Sequence, residues 1–153
     1  MVSIDDRIRR LGALLRQMQG LTPNIEASAI VSPDGLVLAS SLPDGTDEEE
    51  LGAMSAAVLT LGERIARELL SGRVKQVYVE GEGTGYVFLT SIGNEAILVT
   101  LANVDAKLAL VFMDMGRIAA EARQILQEDL LTEVEETSET VPALGLQDPL
   151  QEQ

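Results

Sequence analysis

Apolar residues recur along this chain with more than one period, and each change of period marks an element. Ile4, Ile8, Leu11, Leu15 and Met18 are spaced 4, 3, 4 and 3 residues apart, the single stripe of an amphipathic helix. Ser3 is suited to cap its start, Asp5 and Asp6 to its positive end, and Gly20 to its stop. From Asn24 to Val31 the period shortens to two. Ile25, Ala27, Ala29 and Val31 fall on one side, and Glu26 and Ser28 on the other, which predicts a half-buried strand. Ser-Pro-Asp-Gly at 32–35 then supplies a tight turn, with Pro33 pre-setting one backbone angle and Gly35 free to take positive φ. Leu36 to Ser41 is the return strand, and a second Pro-Asp-Gly at 43–45 leads into the next helix.

Thr46 and Glu49 have the spacing of a capping box. Leu51, Met54, Val58, Leu61, Ile65 and Leu69 then form the expected core stripe of a second helix. The opposite face carries Gly52, Ala53, Ala56, Leu59 and Thr60, where a helix facing water would carry charge. That bare face predicts either a partner surface, continued by Glu63 and Arg67, or a helix buried on both sides within its own domain. Val74–Glu80, Tyr86–Ile92 and Glu95–Leu101 follow as three strands joined by short Gly-rich turns, an antiparallel meander. The last two are nearly continuous apolar runs, as in a sheet covered on both faces. The period returns to helical from Asp105 to about Leu131.

Composition narrows the chemistry. The chain has no cysteine and no histidine, which removes thiolate and imidazole nucleophile systems and most metal sites. The expectation is therefore no catalytic residues, no cofactor and no metal. Gly-Glu-Gly-Thr-Gly at 81–85 lacks a Walker lysine and precedes a strand rather than a helix, so it reads as a turn. Tyr78 with Glu80 and Glu82 is the nearest thing to a polar site, and strand-end polarity explains it. A formal charge of −14 argues against nucleic acid. No apolar run is long enough to span a bilayer and the start lacks a signal-peptide pattern, so a cytoplasmic protein without membrane insertion is expected.

The charge is uneven. From Glu128 onward there are acidic residues and no basic ones, and beyond Leu131 the period is lost. The chain is thus expected to divide into a domain at 1–131 and an acidic, disordered tail at 132–153.

The order helix, hairpin, helix, three-strand meander, helix resembles the Roadblock domain, the family of dynein light chains and MglB-type regulators of Ras-like GTPases. The likeness rests on "IEASAIVSPDGLVLASS", "LGAMSAAVLTLGERIARELL", "VYVEGEGTGYVFLTSIGNEAILVTLA" and "MGRIAAEARQIL". It implies an α+β sandwich of the Roadblock/profilin type: a five-stranded antiparallel sheet with the first and third helices on one face and the second on the other. It also implies a homodimer in which the meander's first strand meets its twin, so that Val74, Gln76 and Tyr78 join the partner surface. The partner so implied is a small Ras-like GTPase, held by docking with no donated catalytic arginine. The alternative is an adaptor dimer that assembles motility, polarity or signalling complexes and leaves GTP turnover unchanged.

Overall fold

The structure is a computed structural model that describes residues 3–141, with side chains as far as Glu128. Residues 142–153, part of the expected acidic tail, lie outside the described residues. The elements are α1 (Ile4–Leu21), β1 (Ile25–Val31), β2 (Val37–Ser41), α2 (Glu48–Leu70), β3 (Gln76–Gly81), β4 (Gly85–Ile92), β5 (Ala96–Ala102) and α3 (Leu108–Val141). The five strands form one antiparallel sheet in the order β2-β1-β5-β4-β3, so β2 and β3 are its edges. The helices α1 and α3 cover one face and α2 the other.

The caps show how local sequence sets the boundaries. Ser3 Oγ accepts the Asp6 amide, as its position before α1 suggests. At α2 the expected box slips by one residue: Asp47 is the cap and accepts the Glu50 amide, while Thr46 Oγ1 donates to the Pro43 carbonyl. The β1–β2 hairpin closes as its sequence predicts. Gly35 sits at φ 91° and the Leu36 amide donates to Ser32 Oγ.

β1 departs from the expected alternation. It lies inside the sheet and is buried on both sides, with only Glu26 exposed. A register irregularity between Ile25 and Ala27 moves Ile25 into the α1/α3 layer with Ile30, whereas Ala29 and Val31 stay in the α2 layer. Ser28, expected on a wet face, is fully buried, and its hydroxyl donates to Gln19 Oε1 of α1. A buried hydroxyl costs little once it has such a partner. The meander matches its expected pattern, although Val74 precedes β3 and packs in the α2 layer.

The larger core lies under α1 and α3. Leu11, Leu15, Met18, Phe88, Leu98, Met115 and Ile118 are fully buried there. The two helices run antiparallel, with Arg10 ion-paired to Glu128 at one end and Thr22 hydrogen-bonded to Asp114 at the other. α1's stripe is buried only from Leu11, and Ile4 and Ile8 are exposed.

α2 approaches the opposite face very closely. A methyl group on Gly52 would come within 2.2 Å of the Gly35 carbonyl oxygen, and one on Gly62 within 2.9 Å of Val77 Cγ2. The first of these obstacles is backbone, which cannot rotate away. Gly52→Ala should therefore destabilise the domain by about 1–3 kcal/mol, overriding the gain in helix propensity. Gly116, in α3, has nothing within 4 Å of its missing methyl, and Gly116→Ala should stabilise by roughly 0.5–1 kcal/mol. Denaturant midpoints of the two variants check the contrast in sign.

Candidate functional site: the outer face of α2 and the β3 edge

The close approach settles which way up α2 lies. Its buried residues are Gly52, Ser55, Leu59 and Ala66, spaced 3, 4 and 7 apart, with Gly62 in the gap between the last two. The small residues go down because the sheet beneath presents Val31, Leu89, Ile97 and Val99, side chains that already fill the layer. The expected stripe is thereby turned outward: Met54 is 55%, Leu61 58%, Ile65 47% and Leu69 76% exposed. Leu51 and Val58 remain half-buried on the flank. The size of the apolar side chains suggested one orientation, and backbone clearance imposes the other.

This inversion redistributes the expected partner residues. Gly52 and Leu59 are buried against the chain's own sheet and are not open to a second molecule. Ala56 and Glu63 are half-buried, while Ala53, Thr60 and Arg67 are exposed. Val74 and Gln76 are half-buried. Tyr78 is exposed on the opposite side of the sheet from α2, its ring 6.1 Å from Phe88 and 5.9 Å from Phe112. The ten residues therefore do not form one continuous patch. Sequence reading also assigned Met54, Leu61, Ile65 and Leu69 to the core. The signal that places them correctly is the 3–4 spacing of Gly52, Ser55, Leu59, Gly62 and Ala66, a ladder of small residues.

Between α2 and β3 the sheet is incompletely covered. One apolar crease of about 260 Å³ is lined by Met54, Val58, Val79, Val87 and Leu101 among others. A second, of about 530 Å³, runs past Leu61, Ile65, Leu70, Val74 and Val77. Val79, on the edge strand, is half exposed, and among the described residues β3 pairs only with β4. Its outer edge is thus a row of backbone groups without strand partners beside an exposed apolar helix face. Soluble chains seldom leave either uncovered.

Tyr78, Phe88, Tyr86 and Phe112, all four aromatic residues of the chain, form one connected cluster. The Tyr86 phenol is held above its ordinary pKa, first by desolvation and then by the adjacent Glu80 carboxylate. A phenol so placed is a poorer acid than usual. Among the described residues no three His, Cys, Asp or Glu side chains are grouped to hold a metal ion. No helix among the described residues is long and apolar enough to cross a membrane.

With this geometry in view, the family model of the Roadblock/LC7 domain matches residues 11–102, well over half of the chain. The chain belongs to the Roadblock/LC7 family. A relative in Methanocaldococcus jannaschii, an uncharacterised protein, is 38% identical over 102 residues, which are 67% of this chain and 88% of that one. Among solved structures, a Roadblock/LC7 domain from Streptomyces avermitilis superposes with a TM-score of 0.71 at 24% identity, covering 76% of this chain and 97% of that one. MglB in a tetrameric arrangement gives 0.73 at 21% identity, covering 80% and 91%. At these identities the structural likeness establishes the fold, a five-stranded Roadblock sheet with helices on both faces.

The orientation of α2 has a direct check. Leu59→Arg should abolish cooperative unfolding, because it forces an unpaired charge into the layer beneath the helix. Met54→Arg should retain a cooperative transition and native far-ultraviolet circular dichroism. The reverse ranking would mean that α2 lies the other way up.

Proposed function

We propose that the chain acts as a homodimeric regulator of a small Ras-like GTPase, contributing a docking surface and no catalytic group of its own. The observation that carries this reading is the outward row Met54, Leu61, Ile65 and Leu69 beside the open edge of β3. Each large aliphatic side chain moved from water into an interface contributes about 1.5–3 kcal/mol. Four of them, with Val79 and the edge hydrogen bonds, are enough for a stable pairing after the cost of association. A second copy fits because the edge of β3 is complementary to itself when antiparallel, and a two-fold axis there brings the two α2 helices side by side. The tetrameric arrangement of the structurally similar MglB supports self-association.

Family membership and the MglB likeness support the regulatory part of this reading. It also suits a chain without histidine or cysteine, since a partner that holds a GTPase's own residues in place needs no nucleophile. The exposed Ala53, Thr60 and Arg67 would flank the paired α2 helices and remain available to that partner. The proposed location is the cytoplasm, where such GTPases work. The proposed domain is 1–131, although α3 itself runs on to Val141.

Light scattering at micromolar concentration should give twice the 16.4 kDa chain mass. Ile65→Arg should shift the dimer dissociation constant by about a hundredfold or more while the monomer stays folded, because a desolvated, unpaired charge costs several kcal/mol. A wild-type monomer would contradict the pairing. For the GTPase, single-turnover hydrolysis by Ras-like GTPases of the same genome should accelerate when the wild-type protein is added and not when Ile65→Arg replaces it. Binding with unchanged turnover would favour the adaptor role.

A further inference from the structure

The outer edge of β3 carries a definite hydrogen-bonding pattern. The Ser91 amide donates to the Lys75 carbonyl, so the ladder with β4 runs one residue beyond Gln76. At the other end the Thr84 amide donates to the Gly81 carbonyl and the chain turns. The straight segment is therefore Lys75 to Gly81, with Tyr78 at its midpoint. Residues of an antiparallel ladder alternate between those bonded to the neighbouring strand and those whose amide and carbonyl point away from it. Because Lys75 bonds to β4, Val77, Val79 and Gly81 do so too, and the backbone groups of Gln76, Tyr78 and Glu80 point outward.

The side chains sort by the same alternation. Val77 and Val79 lie on the α2 side, in the layer and crease beneath that helix. Tyr78 stands on the other side, 49% exposed, against Phe88 and Phe112. Gln76 shares that side and donates to Thr90 Oγ1. Charge is graded along the segment: Arg73 and Lys75 lie at its start, Glu80 and Glu82 at its close. A copy running the same way would set like charge beside like. A copy running the opposite way sets basic end against acidic end.

We infer that two copies pair through β3 about a two-fold axis that passes beside Tyr78. This rests on the homodimer reading above and adds its register. Directly opposed residues of an antiparallel pair point to the same face. The axis keeps both α2 helices on one face, so it passes beside a residue that opposes itself. With the axis at Tyr78, every outward group of β3 is matched: Tyr78 bonds to Tyr78 of the second copy, and Gln76 to its Glu80. An axis at Val77 sets Glu80 against Val74, before the strand, and one at Val79 sets Gln76 against Glu82, in the turn. An axis at Glu80 opposes two carboxylates. At Tyr78, by contrast, the Gln76 side-chain amide meets the Glu80 carboxylate and Val77 packs on Val79 beneath the paired helices. The two half-exposed phenol rings cover each other. An edge so specified selects a second copy of this chain over a chain whose edge carries another charge order.

The chain lacks cysteine, so introduced disulfides can report the register. Opposed residues without backbone bonds between them, as Val77 and Val79 would be, stand about 4.5 Å apart between Cα atoms, within disulfide reach. Full-length Val77→Cys and Val79→Cys chains, co-expressed and then oxidised, should give a linked dimer. Neither variant should link when expressed alone, because its own two cysteines would lie about 8 Å apart. Linking by Val77→Cys alone or by Val79→Cys alone would move the axis to that residue and overturn the inference, as would a dimer that links in no combination. Light scattering separates these failures: a monomeric wild type overturns the homodimer reading itself, whereas a dimer with another linking pattern overturns only the axis. Charge supplies a second test that needs no cysteine. Gln76→Glu should raise the dimer dissociation constant about tenfold by setting carboxylates face to face, and adding Glu80→Lys should restore it. Residues 76 and 80 lie about 13 Å apart within one strand, so the restoration is made between copies. An unrepaired loss would overturn the axis.

Discussion

The contact between Gly52 and the Gly35 carbonyl determines which surfaces this domain buries and which it offers. A helix that lies so close to a hairpin turn can present only small side chains downward at that point. Helical geometry then dictates what faces outward, since residues 52, 55, 59, 62 and 66 lie along one stripe. Met54, Leu61, Ile65 and Leu69 are left on the far side, exposed, although they are the larger apolar residues. Two glycines in a helix interior cost about 1 kcal/mol each relative to alanine. Close packing against Val31, Leu89, Ile97 and Val99 offsets that cost, and the outward face is its consequence.

Most of the fold was legible in the sequence because it is written in local periods and turn residues. Ser3 caps α1, the hairpin closes at Gly35, and the meander and the order of elements match the pattern. Three features were hidden, each for a physical reason. Ser28 looks like a solvent-facing residue, but Gln19 on another element satisfies it in the core. Ile25 changes layers through a register irregularity that alternation cannot reveal. The faces of α2 were inverted because hydrophobic size is a guide to burial only where backbone clearance allows a large side chain. Gly52 and Gly62 carry that information, because a methyl group on either would run into this chain's own hairpin and sheet.

The surface that results is covered unevenly on its two faces. One face of the sheet is sealed by α1 and α3 over a core that includes Phe88, Met115 and Ile118, all fully buried. The other is covered by a single helix, leaving the β3 edge and two apolar creases open.

The most direct test of the central claim is hydrogen exchange at the β3 amides that do not pair with β4. If the outer face of α2 and the β3 edge are jointly covered by a second copy, these amides should exchange slowly at micromolar concentration. Their protection should be lost on dilution below the dissociation constant, while the β1–β5 ladder stays protected throughout. Rapid exchange at the β3 edge at every concentration would contradict the account, because the exposed apolar face would then have been left without a partner.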